Sequence, residues 1–188
     1  KGEKVEETRI VDCVTRGINP YINTDEFFDC AKNPDLRFIV SNTTEAGIEY
    51  KPNQNPDDFN GLTFPGRLTL FMKKRFDEGL GGFILLPCEL IDKNGDNLKE
   101  CILKYSEDWG YGVEFEKWIE TENHFTNTLV DRIVTGYPRD NAKEMEQSYG
   151  YLDDMIDTAE IFHLWVIEGD KKLAEEIPFH KIGLNVLW

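Results

Sequence analysis

The run Phe83-Ile84-Leu85-Leu86-Pro87 constrains this chain more than any other stretch. It is the longest apolar run, preceded by Gly79, Gly81 and Gly82 and followed by Cys88-Glu89. It is far shorter than the roughly 20 residues a membrane span needs, so it suits a β-strand. Side chains alternate between the two faces of a strand, yet this one is apolar throughout and has no side to offer water. Strands of that kind sit inside parallel sheets covered by helices on both faces. The preceding glycines read as a helix stop and a tight turn. They are not a dinucleotide fingerprint, which follows a strand and opens a helix.

The neighbouring segments fit the same architecture. Thr8 to Val14 alternates apolar and polar and reads as a strand. Thr24 is placed to cap a helix with Asp25 and Glu26 in its first turn, running to about Lys32 and stopping at Asn33-Pro34. Leu36 to Ser41 is β-rich. Asn53 to Gly61 is a loop, and Pro65 opens a helix with Leu68, Phe71, Met72 and Phe76 as its apolar stripe, ending at Gly79. Asp92-Lys93-Asn94-Gly95 makes a turn, and Asp96 opens the next helix, through Lys104 or beyond; in the preceding helix Arg75 lies on the apolar stripe beside Phe76. Val113 to Glu120 is helical, with Phe115, Trp118 and Ile119 on one side. Thr128 to Val134, Ile161 to Ile167 and Gly183 to Trp188 read as strands, and Arg139 to Gln147 as a polar helix or excursion. Strand and helix alternate, so the fold class is α/β, with a parallel sheet flanked by helices. No internal repeat or linker interrupts residues 1–188, so we treat them as one unit.

The composition narrows the function. The chain has 188 residues, one domain or a piece of a larger protein. It holds 36 acidic and 21 basic residues, a formal charge of -15, which argues against nucleic-acid backbones and anionic membranes as partners. The first residues carry neither an initiator Met nor a hydrophobic leader, and we expect a fragment. Cys13, Cys30, Cys88 and Cys101 are widely spaced, which suits a reduced, cytosolic protein. Asn42-Thr43-Thr44 matches a glycosylation triplet by chance in that setting.

Few residues suggest chemistry on their own. Asp92, Asn94 and Asp96 resemble a calcium loop, but its Gly falls too early and Leu103 stands where a Glu is needed; a turn with a helix cap is the simpler reading. His163 lies in an apolar stretch and reads as a hydrogen-bonded core residue, and Cys88 as a small buried one. Asp131 and Arg132 interrupt an apolar run beside Asn127. Burying both requires pairing, so they form an internal ion pair or face a cleft. In α/β sheets ligands bind outside the carboxyl ends of the strands. Here those ends are Ser41-Asn42-Thr43-Thr44-Glu45, with Gly47 just beyond, and Pro87-Cys88-Glu89. Glu45 and Glu89 could reach a sugar hydroxyl there, or be ordinary loop acids.

Four stretches, in order, resemble the mannitol dehydrogenase family of long-chain polyol dehydrogenases. They are Arg16 to Tyr21, Phe38 to Ile48, Leu86 to Asp92 with Asn94-Gly95, and Asn127 to Val134. Together they are most similar to its tagaturonate reductase branch. The resemblance runs from about Val11 to Trp188. It implies a Rossmann-like NAD-binding domain, incomplete at both ends: the first strand and glycine turn would precede Lys1. A helical domain bearing the catalytic Lys would follow Trp188. It implies hydride transfer between NAD and a sugar acid, without a metal. Sister activities, a fructuronate reductase or a polyol dehydrogenase, stay open, as does a non-catalytic α/β binding module. By the same resemblance Ser41, Asn42 and Thr43 contact the cofactor. Thr44, Glu45, Glu89, Asn127, Asp131 and Arg132 lie near the substrate. At Leu90 the polyol members carry an Asn that polarises the carbonyl, and at Glu89 an Asp. A uronate carboxylate would suit an Arg such as Arg132. NAD against NADP, and the oligomeric state, stay open.

Overall fold

A computed structural model describes residues 5–169 and 171–184. The elements are α1 (Thr24–Ala31), β1 (Phe38–Ser41), α2 (Phe64–Asp77), β2 (Ile84–Pro87), α3 (Asn94–Asp108), α4 (Val113–Glu122) and β3 (His124–Phe125). There follow β4 (Thr128–Asp131), β5 (Val134–Gly136), α5 (Ala142–Tyr149), β6 (Thr158–Ala159), β7 (Leu164–Ile167) and α6 (Lys171–Glu176). β1, β2 and β3 form a parallel sheet in that order, with Phe38 to Ser41 in register with Ile84 to Pro87. Helix α2 connects β1 to β2, and α3 with α4 connects β2 to β3.

β2 is buried along its whole length, as its composition demands. Phe83 and Leu85 pack into a core with Leu68, Phe71 and Met72 of α2, Leu98 and Ile102 of α3, and Phe115, Trp118 and Ile119 of α4. Ile84 and Leu86 face the other way, onto Leu173 and Ile177, with Phe38, Ile167 and Phe179 packed around them. The sheet is therefore covered on both sides. Each of these large side chains contributes about 1.5–3 kcal/mol by leaving water.

Local chemistry sets the helix ends. The Thr63 hydroxyl accepts from the Gly66 amide at 3.3 Å, with Pro65 in the first turn of α2. Gly79, at φ 68°, ends it in the left-handed conformation that glycine adopts without strain. Gly82 permits a close approach: an added Cβ would collide with the carbonyl of Glu122.

Several expectations need correction. Thr8 to Val14 forms no ladder among the described residues, and Ile10, Val11 and Val14 are exposed. Alternation supplies two faces but no partner strand. At α1 the cap position belongs to Asn23, and the Thr24 hydroxyl instead donates to the Pro20 carbonyl at 2.8 Å. α3 begins at Asn94, two residues before Asp96. The segment Thr128 to Val134 is two strands: β4 pairs antiparallel with β7, and β5 with β6. The strand expected over Ile161 to Ile167 is confined to β7, and His163 before it is exposed rather than core. Gly183 closes a short 3-10 turn (Phe179–Ile182), and the remainder of the strand expected to reach Trp188 lies outside the described residues from residue 185 on.

One buried cation locks this layer together. Arg75 is 3% exposed. Its guanidinium donates to the carbonyls of Gly81 (2.8 Å), Ala31 (3.2 Å), Asn33 (2.5 Å) and Leu36 (3.0 Å), and lies 4.6 Å from the Phe83 ring centroid. It thus satisfies the carbonyls where α1 ends and where β1 and β2 begin. Lysine cannot reproduce that planar fork. Arg75→Met leaves several of these carbonyls unpaired, and we expect a loss of about 3 kcal/mol or more. Urea unfolding at an unchanged m-value reads this directly, and an unaltered midpoint would refute it.

Candidate functional site

The carboxyl ends of β1, β2 and β3 converge on one edge of the sheet, as they must when strands are parallel. The last ladder bond between β1 and β2 runs from the Cys88 amide to the Ser41 carbonyl at 2.7 Å. Beyond it side chains take over. Glu89 is 1% exposed and is no ordinary loop acid. Its carboxylate accepts from the Ser41 hydroxyl (3.0 Å), the Thr43 amide (3.0 Å) and the Thr43 hydroxyl (2.8 Å). Ser41, Thr43 and Glu89 are therefore one cluster.

The chain between them is tightly coiled. Thr44 sits at φ 75°, a left-handed conformation that costs a non-glycine residue about 1–2 kcal/mol. Gly47 folds back so closely that an added Cβ would collide with Thr43. Asn42, Thr44 and Glu45 are exposed on this turn.

Asn94, which the sequence offers only as a turn residue, is fully buried and ties three segments together. Its amide nitrogen donates to the carbonyls of Pro87 (2.9 Å), Glu89 (3.0 Å) and Thr128 (3.0 Å). Its oxygen accepts from the amides of Gly95 and Thr128, both at 2.9 Å. The Thr128 hydroxyl also donates to the Pro87 carbonyl. Lys93, at φ 51°, turns the chain sharply into α3, and Gly95 has no room for a Cβ beside the Thr126 carbonyl. The Asn94-Gly95 pair was visible in the sequence, but its partner Thr128 lies 34 residues away and nothing local announces it.

Asn127 belongs to a second group. Its side-chain oxygen accepts from the Asp96 amide (3.0 Å), and its nitrogen donates to Asp96 Oδ2 (3.3 Å) and Glu168 Oε2 (2.9 Å). A cleft of about 290 Å³ adjoins it, lined by Asp96, Lys99, His124, Thr126 and Glu168 among others. The Gly95 and Asp96 amides in the first turn of α3 are thus taken by Asn94 and Asn127. The sequence offers Asp96 only as a turn and helix-start residue, and nothing in it singles out Glu168.

Asp131 and Arg132 stand apart from both groups. Both are exposed, and Arg132 Nε donates to the Glu160 carbonyl at 3.1 Å while the Glu160 carboxylate accepts from the Ile133 amide. The buried pairing inferred from their apolar flanks is not needed, because β4 is exposed on both faces, with Leu129 and Asp131 on one and Val130 on the other. Leu90 is 63% exposed next to the buried Glu89. Cys88 is half-buried; burial pushes its thiol above the usual range, and a hydrogen bond with Thr128 opposes that.

The sequence matches the family described as Mannitol dehydrogenase Rossmann domain over residues 1–181. Altronate oxidoreductases of Cronobacter sakazakii (strain ATCC BAA-894), Enterobacter sp. (strain 638) and Shigella flexneri are each 47% identical over 191 aligned residues. All of this chain is covered, and it spans 40% of the length of those relatives. Two solved structures share the fold at a TM-score of 0.66, covering 80% of this chain. One is a D-sorbitol dehydrogenase in substrate-free form, 24% identical, of which 34% is matched. The other is the Pseudomonas fluorescens mannitol 2-dehydrogenase in a ternary complex with NAD and D-mannitol, 20% identical, of which 33% is matched.

Two measurements check this geometry. Asn94→Ala leaves the carbonyls and amides of three segments short of partners, and we expect a destabilisation of about 2–4 kcal/mol. A melting temperature within a degree of the parent would overturn it. For the thiols, a raised pKa means little thiolate at neutral pH. Exposed Cys13 should therefore react with a disulfide reagent first, and Cys88 and buried Cys101 much later, accelerating as the pH rises. Rapid labelling of Cys88 at pH 7 would contradict its burial.

The match over nearly its whole length, on a parallel sheet covered on both faces, makes this chain a member of the mannitol dehydrogenase family, within its Rossmann domain.

Proposed function

We propose that residues 1–188 are part of the nucleotide-binding domain of an NAD-dependent oxidoreductase that interconverts D-tagaturonate and D-altronate. The observation that carries this reading is the 47% identity to altronate oxidoreductases along the entire chain. The strand-end geometry supports it, because polar side chains gather at the edge where α/β sheets bind ligands.

The residues present fit a dinucleotide in part. The donor hydrogens of Ser41 and Thr43 are spent on Glu89. Their hydroxyl oxygens keep lone pairs, which suit ribose hydroxyl donors. The exposed Asn42 amide offers both a donor and an acceptor. These three residues would hold the cofactor's sugar end. When bound, the dinucleotide supplies or receives the hydride. On the substrate side, Thr44 and Glu45 would line the entrance from the same turn. Asn127, held by Asp96 and Glu168, would border the nicotinamide side with Asp131. The Arg132 guanidinium would complement a uronate carboxylate. Glu89 has its acceptors engaged and would act through the turn it holds. Leu90 in place of an amide favours the uronate over the polyol branch.

The test is a rate measurement on the full-length protein, with NADH and with NADPH, offered D-tagaturonate, D-fructuronate and D-fructose in parallel. We expect kcat/KM for D-tagaturonate with NADH to exceed the others by about tenfold or more, a difference of ~1.4 kcal/mol in transition-state binding. Preference for another of the three would move the substrate within the family. No turnover of any from folded protein would replace the enzyme with a binding module.

A further inference from the structure

We propose that Glu89 is a positioning residue that holds the cofactor-facing turn in its binding shape. The identity of what the turn binds rests on the oxidoreductase reading above; the hold itself rests on the geometry alone. Three observations converge. First, β1 and β2 part company after the bond from the Cys88 amide to the Ser41 carbonyl, and the Glu89 side chain continues the connection where the backbone ladder stops. Second, the partners all come from the end of β1 and all donate: the Ser41 hydroxyl, the Thr43 amide and the Thr43 hydroxyl, at 3.0, 3.0 and 2.8 Å. A backbone N–H can only donate, so the group opposite must be an acceptor. Third, the next residue, Thr44, holds a left-handed φ of 75° without being glycine. Such a conformation persists only where its surroundings over-determine it.

A carboxylate meets all these donors with charge-assisted bonds; a carboxamide meets them only with weaker, neutral ones. A glutamine side chain in its place would keep one oxygen for the Thr43 donors, and its NH2 would force the Ser41 hydroxyl to turn and accept. Glu89→Gln keeps the size of the side chain and alters only this match. The Glu89 backbone is anchored separately, its carbonyl accepting from buried Asn94 at 3.0 Å. The substitution therefore loosens the turn while leaving the start of α3 in place. Asn42, exposed between Ser41 and Thr43, would lose its fixed direction.

The experiment uses the full-length protein and Glu89→Gln, with Glu89→Asp as the conservative variant that keeps the carboxylate. Two readouts are taken. Hydrogen exchange of the ligand-free protein follows the peptide containing Thr43 to Gly47. Fluorescence titration gives the Kd for NADH. We expect Glu89→Gln to raise exchange of that peptide and to raise the Kd by about tenfold. Glu89→Asp, which keeps the carboxylate, should raise both to a smaller extent. A merely structural role would instead lower the active fraction at an unchanged Kd, and that outcome overturns the proposal. So does a folded Glu89→Gln whose exchange and Kd both match the parent, or whose turn exchanges faster with no change in Kd. If the parent itself fails to bind NADH, the oxidoreductase reading falls and the ligand part of this proposal falls with it. The exchange arm still decides whether Glu89 holds the turn.

Discussion

Water reaches neither face of β2, and most of the molecule follows from that. A strand buried on both sides cannot carry polar side chains along its length, so polar chemistry collects at its ends. At the amino end Arg75 gathers backbone carbonyls from the end of α1 and the approaches to β1 and β2. At the carboxyl end Glu89 gathers donors, and Asn94 gathers both donors and acceptors. Each is a buried polar group that would be costly if left alone and is stabilising only because its partners are in place. The edge at which ligands bind in such sheets is thus also the edge where the structure is most tightly specified by polar contacts.

The fold was legible where periodicity and burial coincide. The stripe of Leu68, Phe71 and Met72, and the trio Phe115, Trp118 and Ile119, are core in the structure because one helix face is enough to define them. Legibility failed where a partner decides the outcome. Thr8 to Val14 has the alternation of a strand but nothing to pair with among the described residues, whereas β4 finds β7 more than 30 residues away. The adjacent charges Asp131 and Arg132 looked expensive because their neighbours are apolar. Yet Leu129 and Val130 are themselves 48% and 37% exposed, so the apolar run was never a burial signal there.

The candidate site shows the same division. Its location after β1 and β2 follows from chain order and the parallel-sheet rule alone. The roles of its members do not. Ser41 and Thr43 are separated from Glu89 by more than 40 residues, and no local pattern distinguishes a carboxylate aimed inward from one left in solvent. Asn94 is harder still. It reads as one residue of a turn, and its actual work of joining β2 to β4 depends on Thr128 arriving beside it.

Glu89 and Leu90 show how such an edge can keep its shape while changing what it recognises. They are adjacent, yet one is 1% exposed and the other 63%. The inward residue holds the turn; the outward residue meets whatever lies beyond the sheet edge. A change at position 90 alters polarity on the solvent side without removing any acceptor from Ser41 or Thr43. By the family resemblance, the polyol members carry an amide at the outward position and a shorter acid at the inward one. The acid class at the inward position is the same in both, while the outward residue differs. The shape of the turn and the polarity of the sheet edge can therefore be set by neighbouring residues that do not compete for the same hydrogen bonds.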